Sequence, residues 1–242
     1  MKATQAISAA LLQASFVLGH GGVTEYQING EWYTGMKPYN SPTNQQPSIQ
    51  RYWQSFDPIQ DPTSVNIICN NPGTVAPLSA EVPAGSEVVE YWNSGWAHNL
   101  GPMVTWMTEC PSECSSWNGQ GGKWFKIDEA GLSSGVLANG KWGSADMIAQ
   151  NYSWTSTIPR SLKPGNYLLR TETIALHSNP PQWYPNCAQL KVTGSGTVSP
   201  GAQYRASIPG VYSMSDPSIN IQDFWTSKET TYKIPGPDVW KG

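Results

Sequence analysis

The feature that most constrains this chain is a series of short runs rich in Val, Ile, Thr, Tyr and Trp, each closed by Gly, Pro or Asn, with helical period weak throughout. Runs at residues 64–69, 86–93, 124–127, 153–158, 166–176 and 188–193 read as strands. Pro83-Ala-Gly85-Ser86 and Pro164-Gly165-Asn166 punctuate the chain just before two of them. The expected fold is all-β, an immunoglobulin/fibronectin-like β-sandwich with long irregular loops. Residues 36–62 and 197–242 are loop-like and aromatic, and in a sandwich such loops gather at the ends and build a site.

The length of 242 residues is enough for one sizeable all-β core. No internal repeat is visible. Residues 1–19 read as a secretory signal: Lys2 gives a positive start, residues 7–18 are mostly apolar, and Val17 and Gly19 are small residues at a cleavage site. The apolar run is too short to span a bilayer. Cleavage after Gly19 would make His20 the mature N-terminus. Secretion fits the four cysteines, Cys69, Cys110, Cys114 and Cys187, which allow three disulfide pairings; the 110–114 spacing could close a small local loop. A zinc site is the rival use of these thiols, but it needs them reduced and usually in tighter pairs.

Charge narrows the partner. The formal net charge is -3 and only 14 residues are Lys or Arg, so the chain offers no basic surface that would track phosphates. Nucleic acid and membrane are therefore not expected. The 12 Trp and 11 Tyr, set against 13% charged residues, suggest a rigid protein that presents flat aromatic surface to something neutral.

Histidine is scarce, at three, and each lies in a distinctive context: His20 at the expected mature terminus, His98 in Trp96-Ala-His-Asn-Leu-Gly-Pro102, and His177 in Ile174-Ala-Leu-His-Ser178. An N-terminal histidine can chelate a metal through its α-amine and its ring together, and a second histidine completes a T-shaped set of three nitrogens. Such a planar nitrogen set with a weak axial oxygen suits copper. The amine must lose its proton to bind, which an α-amine does far more readily than a lysine.

The sequence resembles the fungal lytic polysaccharide monooxygenases of auxiliary activity family nine. The resemblance runs in order through His20-Gly-Gly-Val; His98-Asn-Leu-Gly-Pro-Met; Trp124-Phe-Lys-Ile-Asp-Glu-Ala-Gly131; Asn151-Tyr-Ser-Trp154 before Thr157-Ile-Pro; Pro164-Gly-Asn-Tyr-Leu-Leu-Arg170; Ile174-Ala-Leu-His177; Gln182-Trp-Tyr-Pro185 before Cys187; and Tyr232-Lys-Ile-Pro-Gly-Pro237. It implies one copper ion held by His20 and His98, with Tyr184 as the axial tyrosine. His177 and Gln182 match the pair that hydrogen-bonds the oxygen co-substrate beside the metal. The implied disulfides are Cys69–Cys187 and Cys110–Cys114. Only Ser-Asn-Pro-Pro separates His177 from Gln182, where many relatives carry a longer Gly-rich stretch, and the shorter loop could shift His177 relative to the oxygen site. Asn151-Tyr-Ser153 is an N-glycosylation sequon.

The same resemblance implies a secreted monomeric enzyme in which residues 20–242 form one catalytic sandwich with a flat copper-centred face and no appended carbohydrate-binding module. Its substrate would be cellulose or a related β-1,4-glucan, oxidised at carbon one or carbon four with an external reductant and dioxygen or hydrogen peroxide. Tyr212, in Pro209-Gly-Val-Tyr-Ser213, resembles a tyrosine of the substrate face, and Tyr39 in the early loop is a second candidate; most Trp are expected to be structural. No acidic pair stands out for glycoside hydrolysis. A non-catalytic carbohydrate-binding protein would share the aromatic face but would not need His20 with His98 and Tyr184. A copper-trafficking protein could keep the two histidines without Gln182 or a planar glucan face.

Overall fold

The computed structural model describes residues 19–242. The expected signal segment, apart from Gly19, lies outside these residues. In chain order the strands are β1 (Val23–Ile28), β2 (Glu31–Thr34), β3 (Tyr52–Trp53), β4 (Pro72–Thr74), β5 (Ala80–Pro83), β6 (Glu87–Trp92) and β7 (Met103–Glu109). They continue with β8 (Phe125–Ala130), β9 (Leu132–Ser134), β10 (Lys141–Trp142), β11 (Ser153–Thr157), β12 (Gly165–Ala175) and β13 (Gln182–Thr193), and one α-helix, α1, spans Gly143–Ala149. Two sheets make the sandwich. One has the order β11-β6-β1-β2; the other has the order β5-β13-β12-β7-β8 and is antiparallel except where β5 runs parallel to β13.

The two sheets differ in how their faces are covered. On β12, Tyr167, Leu169 and Ala175 point into the core between the sheets, while Leu168 and Ile174 point the other way, into a second apolar cluster beneath the loops. The five-stranded sheet is thus buried on both faces. Burying one large apolar side chain is worth about 1.5–3 kcal/mol, so this two-sided strand anchors the fold. The four-stranded sheet buries one face only: along β6, Val88, Glu90 and Trp92 are buried and alternate with the more exposed Glu87, Val89 and Tyr91. Nine of the twelve tryptophans are buried, Trp117 is half-buried, and Trp32 and Trp225 are exposed.

The sandwich expected from the strand runs is present, with both disulfides, Cys69–Cys187 and Cys110–Cys114. Residues 64–69 are a correction: they hold a 3-10 turn at Val65–Ile67, not a strand. The Ser64 hydroxyl accepts the Asn66 amide at its start, and the side chain of Arg170 captures the Ile67 and Ile68 carbonyls that a neighbouring strand would have used. Strand β13 begins six residues before the expected 188. Pro185 masks its first half in the sequence, yet Pro185 sits opposite Glu172 in the β12 ladder.

Candidate metal centre

Three elements bring the site residues to one end of the sandwich: the arm leading into β1, the loop between β6 and β7, and the start of β13. The arm is held by side-chain amides. Asn93 accepts the Gly22 amide at 2.9 Å and donates to the His20 carbonyl at 3.3 Å, and Asn186 accepts the Val23 amide at 2.9 Å. Only glycine fits along this path. A Cβ on Gly21 would stand 1.7 Å from Asn93 Oδ1, and one on Gly22 would stand 2.3 Å from Asn186 Oδ1.

The loop bearing His98 is fixed from both sides. Trp96 Nε1 donates to the His98 carbonyl at 2.9 Å, and the Leu176 amide donates to the Leu100 carbonyl at 3.2 Å, which ties the His98 loop to the His177 segment. Gly101 packs so closely on the Ile174 carbonyl that a Cβ would come within 1.8 Å of it. Tyr184 is buried on β13, edge-on to Trp96 at 4.7 Å between ring centroids.

These constraints put the His20 and His98 rings 5.6 Å apart and 20° from parallel, with the Tyr184 ring 5.9 Å from His20 and 5.5 Å from His98. The Tyr184 hydroxyl is 3.1 Å from His98 Nε2 and donates to Gln182 Oε1 at 2.8 Å. On the opposite side of the imidazole, His98 Nδ1 meets His177 Nε2 at 3.2 Å. Burial, helped by the neighbouring His177 and His20, pulls the His98 pKa down to about 4, so the ring is neutral at ordinary pH. Burial likewise lowers His177 and pushes the Tyr184 phenol up, with Asp57 adding to the rise. His98, His177 and Tyr184 are therefore neutral groups with lone pairs to offer.

Such a set fits a metal of the copper type. Among the described residues no three His, Cys, Asp or Glu side chains converge on one point, so an ion here would draw on two imidazoles, one phenol oxygen and the main-chain nitrogen of His20. His98 Nδ1 is engaged by His177, which leaves Nε2, beside the Tyr184 hydroxyl, as the coordinating nitrogen.

The aromatic surroundings depart from expectation at one residue. Tyr212 is not on a substrate face: it is 3% exposed, and its hydroxyl donates to buried Glu172 on the far side of the five-stranded sheet. Tyr39 is exposed, at 69%, with its hydroxyl accepting the Phe56 amide at 3.1 Å and its ring edge-on to Phe56. Trp225, which the sequence reading did not single out, is 62% exposed and lies 6.0 Å from the His177 ring. Its only signal in the sequence was its pairing with Phe224 in a polar loop; Phe224 is buried and anchors it at 5.4 Å.

Residues 20–232 match Auxiliary Activity family 9 (formerly GH61). The AA9 family lytic polysaccharide monooxygenase B of Heterobasidion irregulare is 48% identical over 240 residues, covering 98% of each chain. The crystal structure of HiLPMO9B has a TM-score of 0.88 at 48% identity, over 92% of this chain and 100% of that one. That of a cellulose-active polysaccharide monooxygenase from M. thermophila has a TM-score of 0.84 at 45% identity, over 92% and 100%. The chain belongs to the AA9 lytic polysaccharide monooxygenases, enzymes of oxidative polysaccharide cleavage.

Proposed function

We propose that this chain is a secreted, copper-dependent enzyme that cleaves cellulose or a related β-1,4-glucan oxidatively at carbon one and/or carbon four. The observation that carries the reading is the convergence of His20, His98 and Tyr184 at one end of the sandwich, next to an exposed Trp225. A relative of the same fold is described as cellulose-active, which favours that polymer. Bound copper, reduced by an external donor, supplies one-electron chemistry with dioxygen or hydrogen peroxide.

The remaining roles belong to the chain itself. Cleavage after Gly19 frees the α-amine of His20 to join its ring as a ligand. His98 binds through Nε2, so its Nδ1 carries the proton and donates it to His177 Nε2; His177 thereby orients the ligand ring. Tyr184 remains a protonated phenol that gives its hydrogen bond to Gln182 Oε1, and its oxygen would face a copper ion held by His20 and His98. That bond points the Gln182 amide nitrogen away from Tyr184, where it serves as donor to the oxygen co-substrate. Trp225 and Tyr39 offer rings for the apolar faces of pyranose units. Asn151 is exposed on the turn between α1 and β11, as glycan attachment requires.

The test is incubation of the copper-loaded mature protein with cellulose and ascorbate, followed by mass spectrometry of the soluble products. Aldonic acids mark attack at carbon one and four-keto sugars attack at carbon four. Absence of both from every β-glucan tried, with copper shown to be bound, overturns the proposal.

A further inference from the structure

The outer face of the four-stranded sheet holds an aromatic platform that the site at the end of the sandwich does not use. Trp32 on β2 lies opposite Gln27, and Tyr91 on β6 lies opposite Glu25, with β1 between them. The Trp32 indole nevertheless reaches across β1 and stacks on the Tyr91 ring, 4.9 Å between centroids and 29° from parallel. Tyr91 is half-buried beneath it, while Trp32 keeps 57% of its surface in water. The Tyr91 hydroxyl donates to Gln27 Oε1 at 3.4 Å, which ties the lower ring to β1. Along the same face, a groove of about 300 Å³ is lined by Gln27, Asn29, Gly30, Glu87 and Val89.

Charge restricts the occupant. β1, β2, β6 and β11 contain no Lys or Arg, and their exposed charges are Glu25, Glu31 and Glu87. Such a face repels nucleic acid, anionic lipid and acidic polysaccharide. A flat indole beside carboxylate and amide side chains suits a neutral pyranose chain: its C–H face stacks on the ring, and its hydroxyls donate to Glu87 and accept from Gln27 and Asn29. One platform with one groove matches a single chain and not a crystalline surface. The His20 end is on the order of 20 Å away along β1, so both places could be occupied together.

We infer that the Trp32–Tyr91 platform and the groove beside it form a second glycan-binding site, which takes a single chain of neutral β-linked polysaccharide independently of the metal centre. It rests on the proposed glucan activity only for the choice of polymer. Its physical basis is the pairing of a water-exposed indole, already held flat by a stacked partner, with a cation-free ring of hydrogen-bonding side chains.

Electrophoresis of the mature protein, stripped of copper by EDTA, through native gels cast with hydroxyethylcellulose, xyloglucan or xylan tests it. The expected result is retardation by at least one polymer, weakened about tenfold in Trp32→Ala and largely restored in Trp32→Phe. Adding copper back should leave the Trp32-dependent part of the retardation unchanged. Circular dichroism confirms folding of each variant, and Glu87→Gln, which leaves the stack intact, probes the groove separately. Wild-type retardation of a folded Trp32→Ala protein overturns the site, as does retardation that follows Trp225 or copper alone. Light scattering that finds a wild-type dimer made monomeric by Trp32→Ala also overturns it, by making the face a self-interface. Release of oxidised sugars from cellulose is measured apart, so failure of this site and failure of the proposed activity are distinguishable.

Discussion

Two carboxylates are buried in this molecule, on opposite sides of β12, and they are handled in opposite ways. Glu172 points away from the sandwich core and is surrounded by donors: Arg170 Nη2 at 2.7 Å, Trp106 Nε1 at 3.0 Å and the Tyr212 hydroxyl. Glu90 points into the space between the sheets. There it accepts only the Thr171 hydroxyl, at 2.6 Å, and its second oxygen has no partner. Burial pushes its pKa up to about 8, opposed by the Thr171 hydrogen bond and assisted by nearby Asp128. The outer region gives its acid a permanent cation and two further donors; the inner region leaves its acid with a single hydroxyl and favours the neutral form. Both disulfides also belong to the outer region. One side of the sheet is held by covalent and ionic ties under loops, the other by packing between strands.

The contrast breaks most strongly at the long disulfide. Replacing Cys69 and Cys187 with serine opens a loop of 118 residues and should cost about 5 kcal/mol, whereas opening the four-residue Cys110–Cys114 loop should cost about 2 kcal/mol. Urea titration of the two double variants compares them. Arg170→Leu leaves buried Glu172 without its cation, and a loss of about 3–5 kcal/mol is expected in the same titration.

Glu90→Gln should act through pH. The unfolded chain releases this proton near the ordinary carboxyl value and the folded chain only near pH 8, so the stabilisation is complete below about pH 4.5 and is lost as pH rises towards 8. Melting curves between pH 5 and 8 should flatten in the variant, which at pH 8 should match or exceed the wild type; an unchanged slope would mean that Glu90 is charged in the fold.

Tyr212→Phe removes one donor from Glu172 and should cost about 1–3 kcal/mol in thermal unfolding. Cellulose binding should be unaffected, since the ring is buried. Trp225→Ala is expected to do the reverse. Its effect on unfolding should be within about 0.5 kcal/mol, as for an exposed residue, with weaker retention on cellulose.

The comparison also explains what could be read from the chain alone. β12 was legible almost residue for residue, because Tyr167, Thr171, Thr173 and Ile174 favour strands and Pro164-Gly165 marks its start. β1 and β2 were not, since Glu25 and Gln27 on the wet face of β1 interrupt its apolar residues and β2 is only four residues long. The helix Gly143–Ala149 is too short to display a period. His20 stood out as the expected mature terminus, His98 as a second histidine in a distinctive motif and Tyr184 through the family resemblance, and the structure brings all three together. Tyr212 could not be placed in the same way. Its loop looks solvated, and only its bond to Glu172, forty residues away, shows that it faces inward.

The amide clamp on the arm ahead of β1 has a practical consequence for anyone producing the protein. Asn93 and Asn186 grip the main chain of His20, Gly22 and Val23, and none of these bonds involves the His20 nitrogen. A leftover methionine or tag residue would leave the ring in position and the melting curve of the metal-free protein unaltered, while removing the free amine that the proposed copper site requires. Such a preparation would pass every ordinary check of folding and still fail as a catalyst, so intact mass and copper stoichiometry should be the release criteria.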